Sequence, residues 1–156
     1  MPHFRAKRLV PVPAGIAYAV AGDVAAYKEF LPLLEESQIV GAVSDEGGSH
    51  IFRAELAVGY SKLRIREKFT SCVICDDVRR TVTATSQERP FRNMKAIWTI
   101  SDSSNKAEVA IEIDYAMRNP FLQVALAGVM EMAVNKVMAA FETRAKSVHA
   151  AASNSI

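Results

Sequence analysis

Apolar and polar residues alternate with a period of two through seven stretches of the chain. This alternation is typical of strands that bury one face, and turn sequences such as Gly47-Gly48 and Ser104-Asn105 separate the stretches. Because short turns join the last six of them, these strands are predicted to pair antiparallel with their neighbours. The predicted strands cover residues 4–12, 37–43, 49–58, 60–73, 78–86, 91–100 and 107–117.

Three helices complete the pattern. Pro13 suits the first position of a short helix that ends near residue 20. Asp23 is a natural N-cap for a second short helix, which Pro32 ends. After Asn119 the period changes from two to 3.6, and Pro120 begins a helix that we expect to continue to about residue 148.

A curved sheet with one apolar face must bury that face, and the last helix is the only element long enough to cover it. The sequence therefore predicts an α+β fold of the helix-grip type. In this fold a seven-stranded curved antiparallel sheet wraps around a long C-terminal helix, and two short helices follow the first strand. At 156 residues the chain fits one domain. We expect this domain to cover residues 1–149 and residues 150–156 to form a frayed C-terminal tail.

Strand parity and helical spacing place many large apolar side chains on the inner faces of the sheet and the helix. One helix across a broad curved sheet leaves space near one end, and ligand sites occupy about 300–1,000 Å³. Tyr18, Tyr60 and Tyr115 supply hydroxyl groups for a ligand carbonyl. We predict an apolar ligand cavity and mouth formed by Phe30, Leu31, Pro32, Leu56, Val58, Tyr60, Ile65, Phe69, Phe91, Met94, Trp98, Ile111, Ile113, Tyr115, Met130, Val134 and Met138.

No group of residues in the sequence indicates catalysis or metal binding. Cys72 and Cys75 form a lone C-x-x-C at the end of a strand, which we interpret as two ordinary reduced cysteines. Glu67 is the one carboxylate with inward parity. It would act as a general acid or base, or pair with an arginine near the sheet edge, and the pairing is the preferred interpretation. We predict no catalytic residue, no metal and no required cofactor.

The charge balance does not indicate a nucleic-acid partner. Nineteen basic residues oppose 17 acidic ones, which gives a net charge of +2. A basic row on the outer face, Arg64, Arg66 and Lys68, together with the pair Arg79-Arg80, would contact RNA or an anionic membrane. The preferred interpretation is a solvated sheet face whose charges are balanced across strands by Glu55, Glu112 and Asp114.

Targeting signals in the sequence are weak. Basic residues precede an apolar stretch over 9–21, but prolines and a glycine interrupt it, and cleavage after it would remove a predicted strand. The longest apolar stretch, 121–134, is too short to span a bilayer and contains Gln123 and Glu131. We expect a cytoplasmic protein and leave peripheral attachment to the inner membrane open.

Several short segments occur in an order and spacing that are informative together, although none is specific alone. They are Asp23-Val24, Tyr27-Lys28-Glu29-Phe30-Leu31-Pro32, Leu56-Ala57-Val58-Gly59-Tyr60, Phe69-Thr70-Ser71, Pro90-Phe91, Trp98 and Ala140-Phe141-Glu142-Thr143-Arg144-Ala145. Over residues 4–146 the chain resembles the coenzyme Q-binding branch of the START-like superfamily, which includes polyketide cyclase-like and lipid-transport proteins.

The resemblance implies a START/Bet v 1-like domain that holds ubiquinone or a similar isoprenoid lipid as a bound ligand. Such proteins act as carriers or chaperones that support respiratory electron transport, and not as enzymes. The chain departs from the family pattern at Leu33 and Leu34, which replace a frequent Trp-Cys, at Tyr60, which replaces phenylalanine, and at Met94, which replaces leucine. These changes keep the cavity apolar and therefore bear on ligand preference more than on the fold.

Two other functions stay open. A closely related branch of the family comprises ribosome-association toxins, for which the basic outer face would be the working surface and the ribosome the partner. An aromatic polyketide cyclase or dehydrase is the enzymatic alternative, and it would depend on Glu67. The expected partner is an isoprenoid quinone or another hydrophobic small molecule. Transient contact with a membrane surface is left open, and no DNA partner is expected.

Overall fold

The computed structural model describes residues 3–154, and this part of the chain forms one seven-stranded antiparallel sheet. Its order is β1-β7-β6-β5-β4-β3-β2, so β2 to β7 form a meander and β1 pairs with β7 at one edge. The predicted helix-grip class is confirmed. The strands are β1 (His3–Val10), β2 (Leu34–Glu46), β3 (Ser49–Tyr60), β4 (Ile65–Asp76), β5 (Thr81–Ser86), β6 (Phe91–Ser103) and β7 (Lys106–Met117).

Two short helical segments carry the chain from β1 to the opposite edge of the sheet. Helix α1 (Ala14–Gly22) begins directly after Pro13, as predicted, and its buried alanines allow the helix to lie close to the core. The second short helix, predicted after Asp23, is present as a 3-10 helix at Val24–Glu29. Tyr27 from this segment is buried and reaches the interior of the domain.

The C-terminal helix is broken, which the sequence analysis did not predict. Helix α2 (Pro120–Ala127) and helix α3 (Met130–Asn154) meet at a bend of 58°. The break falls at Gly128, the residue type with the lowest helix propensity after proline. Within the described residues no single helix is long and apolar enough to cross a membrane; only the bent pair α2 and α3 reaches that length and composition together.

Helix α3 continues through residues where a frayed tail was predicted. It ends at Asn154, and the predicted tail positions Ser155 and Ile156 lie outside the described residues. The reason for the difference is the alanine run at 150–152, since alanine has the highest helix propensity.

Several strand boundaries also differ from the prediction, and β2 extends three residues beyond the predicted 37–43 at each end. A 3-10 turn, Ser61–Leu63, separates β3 from β4, where one continuous strand from residue 60 was expected. Strand β5 begins at Thr81 because the Asp76 carboxylate accepts hydrogen bonds of 3.0 Å from the amides of both Val78 and Arg79 and so holds a turn there.

The two ends of the sheet are named here by their turns. The open end comprises residues 31–34, 61–64 and 87–90 together with α2. The closed end comprises the turns at 47–48, 77–80 and 104–105 and the start of α1. Helix α3 runs from the open end to the closed end, and its buried face packs on the sheet through Val134, Met138, Phe141 and Ala145.

Candidate ligand cavity

An apolar cavity of about 280 Å³ lies between the inner face of the sheet and the C-terminal helices. Strands β2 to β7, the 3-10 helix Val24–Glu29 and helices α2 and α3 all contribute to its wall. The predicted residues that the structure places on this wall are Leu31, Pro32, Leu56, Val58, Tyr60, Ile65, Phe69, Phe91, Met94, Trp98, Ile111, Ile113, Tyr115, Met130 and Val134. That these side chains bind a ligand stays a prediction.

Phe30 and Met138 were predicted to line the cavity and do not. The Phe30 ring packs edge-on against Tyr27, with ring centroids 6.0 Å apart, and the Arg144 guanidinium lies 5.1 Å from its centroid. Phe30 therefore contacts α3 outside the cavity. Met138 is buried in the core. Nearby, Phe141 stacks on Trp98 at 4.7 Å, so the indole forms the cavity wall and the phenyl ring supports it from behind.

Sequence reasoning missed a second group of lining residues, most of them small or on elements that were not considered. Ser71 and Val73 share the strand parity of Phe69, and Val82 and Ala84 have the inward parity of β5, so alternation alone would have found them. The missed residues are Val24, Tyr27, Leu33, Leu34, Gly59, Ser71, Val73, Val82, Ala84, Ala96, Leu126, Ala133 and Val137.

Exposure along the wall shows where the cavity opens. Val73, Val82 and Trp98 are buried deep in the domain. Leu31 is buried as well, but most lining residues near the turns of the open end are half-buried, namely Pro32, Leu33, Leu34, Gly59, Tyr60, Ile65, Phe91, Leu126 and Met130. The mouth therefore lies at the open end, between the 31–34 segment, the β3–β4 turn and the bend between α2 and α3.

Two hydroxyl groups on the cavity wall are buried and have no hydrogen-bond partner within the described part of the chain. They are the Tyr115 Oη and the Ser71 Oγ. Across the sheet, Met94 of β6 pairs with Tyr115 of β7 on one side and with Ser86 of β5 on the other. The register between β4 and β5 pairs Cys72 with Thr85, so Ser71 lies beside Ser86. The two free hydroxyls thus lie in one row across four strands. An unsatisfied buried hydroxyl is unfavourable by about 1–3 kcal/mol, so each is a position for a polar group of a ligand.

The other candidate tyrosines differ in their surroundings. Tyr60 is half-buried at the mouth. Tyr27 donates its hydroxyl hydrogen to the Ala21 carbonyl, and burial raises the pKa of Tyr27, so the phenol stays protonated. Burial likewise raises the pKa of Tyr115. Tyr18 lies at the closed end and donates to Asp77 Oδ1 at 2.7 Å, so its predicted role toward a ligand is wrong.

Glu67 is half-buried on the inward side of β4, beside Val58 of β3, but it is absent from the cavity wall. The predicted arginine partner is not found among the described residues: Arg66 pairs instead with Glu35, Nε to Oε2 at 3.1 Å. No carboxylate, histidine, lysine or arginine lies among the described residues that line the cavity.

Cys72 and Cys75 lie three residues apart in β4, so their side chains point to opposite faces of the sheet. Cys72 is exposed and Cys75 is buried, and burial raises the pKa of the Cys75 thiol to about 11. Both cysteines are free thiols, and two side chains on opposite faces of one strand cannot ligate one metal ion together.

The basic outer row is largely neutralised by neighbouring acids. Lys68 Nζ lies 3.2 Å from Glu55 Oε1, and Arg80 pairs with Asp102 at 2.9 Å. Glu112 and Asp114 were also expected to balance this row, but they pair with Arg5 and His3 of β1 instead. These pairs fit the interpretation of a solvated sheet face.

The closed end of the sheet holds a polar cluster that the sequence did not indicate. His50 lies between two carboxylates, with Nδ1 2.5 Å from Asp45 Oδ1 and Nε2 2.7 Å from Asp77 Oδ2. Tyr18 adds the second hydrogen bond to Asp77. The Asp45 and Asp77 contacts raise the pKa of His50, and the Tyr18 and His50 hydrogen bonds lower the pKa of Asp77.

Known proteins with related sequences include both binding proteins and toxins. The chain is 28% identical over 148 residues to the mitochondrial coenzyme Q-binding protein coq10 of Schizosaccharomyces pombe, across 94% of this chain and 88% of that protein. It is 25% identical over 148 residues to the ribosome association toxin RatA of Pseudomonas aeruginosa, across 94% and 97% of the two chains.

Solved structures share the fold over nearly the whole chain. The 18 kDa protein CC1736 from Caulobacter crescentus superposes with a TM-score of 0.80 at 26% identity and covers 96% of this chain and 99% of its own. A Streptomyces aromatase/cyclase superposes with a TM-score of 0.78 at 18% identity and 93% coverage of both chains, a likeness of fold alone. The sequence pattern of the family described as polyketide cyclase/dehydrase and lipid transport matches residues 10–142 of this chain. The chain therefore belongs to the polyketide cyclase/dehydrase and lipid transport family.

Proposed function

We propose that this protein binds ubiquinone or a similar isoprenoid quinone in its cavity and acts as a carrier or chaperone that supports respiratory electron transport. The observation that carries the proposal is the combination of an apolar wall with two unpaired buried hydroxyls, from Tyr115 and Ser71. The similarity to a coenzyme Q-binding protein supports the same choice of ligand.

An empty cavity of this kind would be unfavourable. At about 24 cal/mol per Å³, a dry apolar space of 280 Å³ reduces the free energy of unfolding by on the order of 7 kcal/mol. An apolar ligand removes that penalty, and each carbon that it buries contributes roughly 0.8 kcal/mol to the free energy of binding. The volume suits a quinone ring with about two or three isoprene units, so the remainder of a long tail would leave through the mouth.

A quinone ring also satisfies the polar atoms of the wall. The Tyr115 hydroxyl is protonated and has no acceptor among residues 3–154, so it would donate to a quinone carbonyl oxygen. The Ser71 hydroxyl would bond to a second polar group of the ligand or to a water molecule. An isoprenoid hydrocarbon without a carbonyl would offer the Tyr115 hydroxyl no acceptor.

Titration with a short-chain ubiquinone and with an isoprenoid hydrocarbon of matched length tests the proposal. Tyr115→Phe should weaken quinone binding by about 3- to 10-fold and leave hydrocarbon binding unchanged, because one hydrogen bond is worth about 0.5–1.5 kcal/mol. Tyr18→Phe is the matched control and should alter neither, because the Tyr18 hydroxyl lies at the closed end, outside the cavity wall, and donates to Asp77. Equal affinity of the wild-type protein for both ligands would contradict the proposed role of Tyr115.

Binding without turnover is part of the proposal. The described cavity wall carries only hydroxyl groups, whereas a cyclase or dehydrase needs a positioned acid or base. Glu67→Gln tests the enzymatic alternative directly: quinone binding should be unchanged, and loss of a cyclisation activity of the wild-type protein in this variant would favour the enzyme.

Ribosome binding is the second candidate, because of the similarity to ribosome association toxins. Arg64 is exposed in the basic row and forms no ion pair with another described residue, whereas Arg66 is held by Glu35. Co-sedimentation with ribosomal subunits separates the two functions. Binding that is lost in the Arg64→Ala, Arg66→Ala double variant, from a protein that carries no quinone, would favour the toxin-like function.

A further inference from the structure

Helix α2 is apolar over most of its surface, and Gln123 is its one polar side chain. Its eight residues include no charged side chain, and a short helix of that composition is normally buried. In this protein Leu126 lines the cavity and Leu122 packs against the core, but Phe121 is 85% exposed and Val124 is 74% exposed. The two exposed residues are three positions apart and therefore share one face. Helix α2 thus presents one apolar face to the cavity and another to the solvent.

Basic side chains occur at the same end of the domain as this outer face. Lys62, Arg64, Arg89, Arg92 and Arg118 are all exposed near the mouth, and none forms an ion pair with another described residue. Arg118 directly precedes α2 and donates hydrogen bonds to the carbonyls of the β5–β6 loop, which places that loop beside the helix.

The acidic residues at this end do not cancel the positive charge. Glu35 pairs with Arg66, and the three further carboxylates at this end, Glu67, Glu88 and Glu131, are fewer than the five basic side chains named above. Glu131 is exposed at the start of α3. The closed end has the opposite character, since the five acids Asp45, Glu46, Asp76, Asp77 and Asp102 lie in or beside its turns with the four bases Arg79, Arg80, Lys106 and His50.

We propose that the open end docks on a bilayer surface with anionic headgroups, with Phe121 and Val124 inserted at the boundary of the acyl chains. An exposed apolar helix face with flanking cations is the arrangement that such a surface attracts. The acidic closed end is repelled by the same surface, so the charge distribution turns the mouth toward the bilayer. The inference rests on the proposed function, because docking is useful only if the cavity holds a lipid. A docked mouth would let that lipid enter the cavity beside α2 without crossing water.

Flotation with vesicles tests the docking surface on the full chain. The protein should float with vesicles of phosphatidylcholine mixed with phosphatidylglycerol, and added salt should weaken the binding. The Phe121→Ser, Val124→Ser double variant should bind at least about tenfold more weakly, because it removes the inserted apolar area. Val78→Ser is the matched control: Val78 is 84% exposed at the closed end, and its replacement should leave binding unchanged.

A second pair of variants isolates the charge. Lys62→Glu combined with Arg89→Glu should weaken binding to the anionic vesicles by about tenfold or more, whereas Lys106→Glu at the closed end should not. Wild-type protein that fails to float, or a Phe121→Ser, Val124→Ser variant that floats as well as the wild type, overturns the proposal. Self-association that the same double variant abolishes would overturn it in favour of a dimer contact.

Quinone binding must be measured on the same variants to keep the two proposals separate. All these exposed positions lie outside the cavity wall, so each variant should bind a short-chain quinone in solution as the wild type does. Vesicle binding without quinone binding would contradict the proposed ligand alone. Quinone binding without vesicle binding would contradict the docking surface alone.

Discussion

The closed and open ends of the domain are built from different kinds of side chain. Toward the closed end, small residues such as Ala14, Ala17 and Val109 are almost completely buried, and the His50 cluster joins the turns. At the open end, large residues such as Leu33 and Met130 are only half-buried. Small residues pack densely because they leave few gaps, whereas long flexible side chains can rearrange around a guest. The difference indicates that one end stabilises the fold and the other admits a ligand.

The largest expected effect comes from two phenylalanines of the C-terminal helices. Phe141 is 1% exposed and supports Trp98, so Phe141→Ala should lower the free energy of unfolding by about 3–5 kcal/mol. Phe121→Ala at the open end should change it by less than about 0.5 kcal/mol. Urea denaturation measures both. A similar loss of unfolding free energy in the two variants would contradict the claim that the open end contributes little to stability.

A smaller effect is expected for two buried serines on neighbouring strands. The Ser86 hydroxyl donates to the Thr70 carbonyl at 2.7 Å, so Ser86→Ala should destabilise the protein by about 1–2 kcal/mol. Ser71→Ala should be neutral or stabilising in the ligand-free protein, because the Ser71 hydroxyl has no partner among the described residues. A loss for Ser71→Ala equal to that for Ser86→Ala would show that Ser71 is satisfied without a ligand.

A local effect of about 1 kcal/mol is expected at the cap of α2. The Asn119 side chain accepts hydrogen bonds from the amides of Phe121 and Leu122, at 2.9 and 3.4 Å. Asn119→Ala should therefore fray α2 and speed hydrogen exchange of its amides by about fivefold. Asn135→Ala, on the exposed face of α3, is the control. Unchanged exchange in α2 would mean that packing alone holds this helix.

The smallest effect concerns pH at the closed end. His50 has a raised pKa, so its contribution to stability is complete below the ordinary histidine value of 6.5 and is lost as pH rises through the raised value. Asp77 has a lowered pKa, so its contribution is complete above the ordinary value of 3.8 and is lost as pH falls through the lowered one. The Tm difference between wild type and His50→Gln should be largest between these values.

Thermal unfolding at about pH 5 and about pH 9 measures this difference. The gap in Tm should be present at the lower pH and shrink at the higher one. His149→Gln, a histidine on α3 away from the cluster, should show no such change. A gap that grows with pH would mean that His50 is held in its neutral form.

Much of the fold followed from local patterns that the structure preserves. Strand parity predicted most of the strand residues on the cavity wall, because alternation depends only on the backbone. The start of α1 at Pro13 and the cap of α2 at Asn119 were also predicted to within one residue, since both signals act on the adjacent helical turn. The break at Gly128 was missed because the apolar spacing continues across it from Leu126 to Met130.

Features that depend on distant contacts were not predictable from the sequence. The His50 cluster joins residues from two turns and α1, and nothing local to Asp45 or Tyr18 indicates the others. Whether the hydroxyls of Ser71 and Tyr115 are paired depends on what each meets across the cavity. Phe30 has the composition of a cavity residue but faces Arg144, which only the packing of α3 decides.

Fluorescence of Trp98 tests the central claim most directly, because it is the single tryptophan of the chain and lies on the cavity wall. A short-chain ubiquinone should quench it saturably. Ala96→Phe, which fills the cavity beside Trp98, should abolish that quenching, and Ile97→Phe, on the outer face of the same strand, should preserve it. Quenching that never saturates, or that Ala96→Phe leaves unchanged, would contradict quinone binding in the cavity.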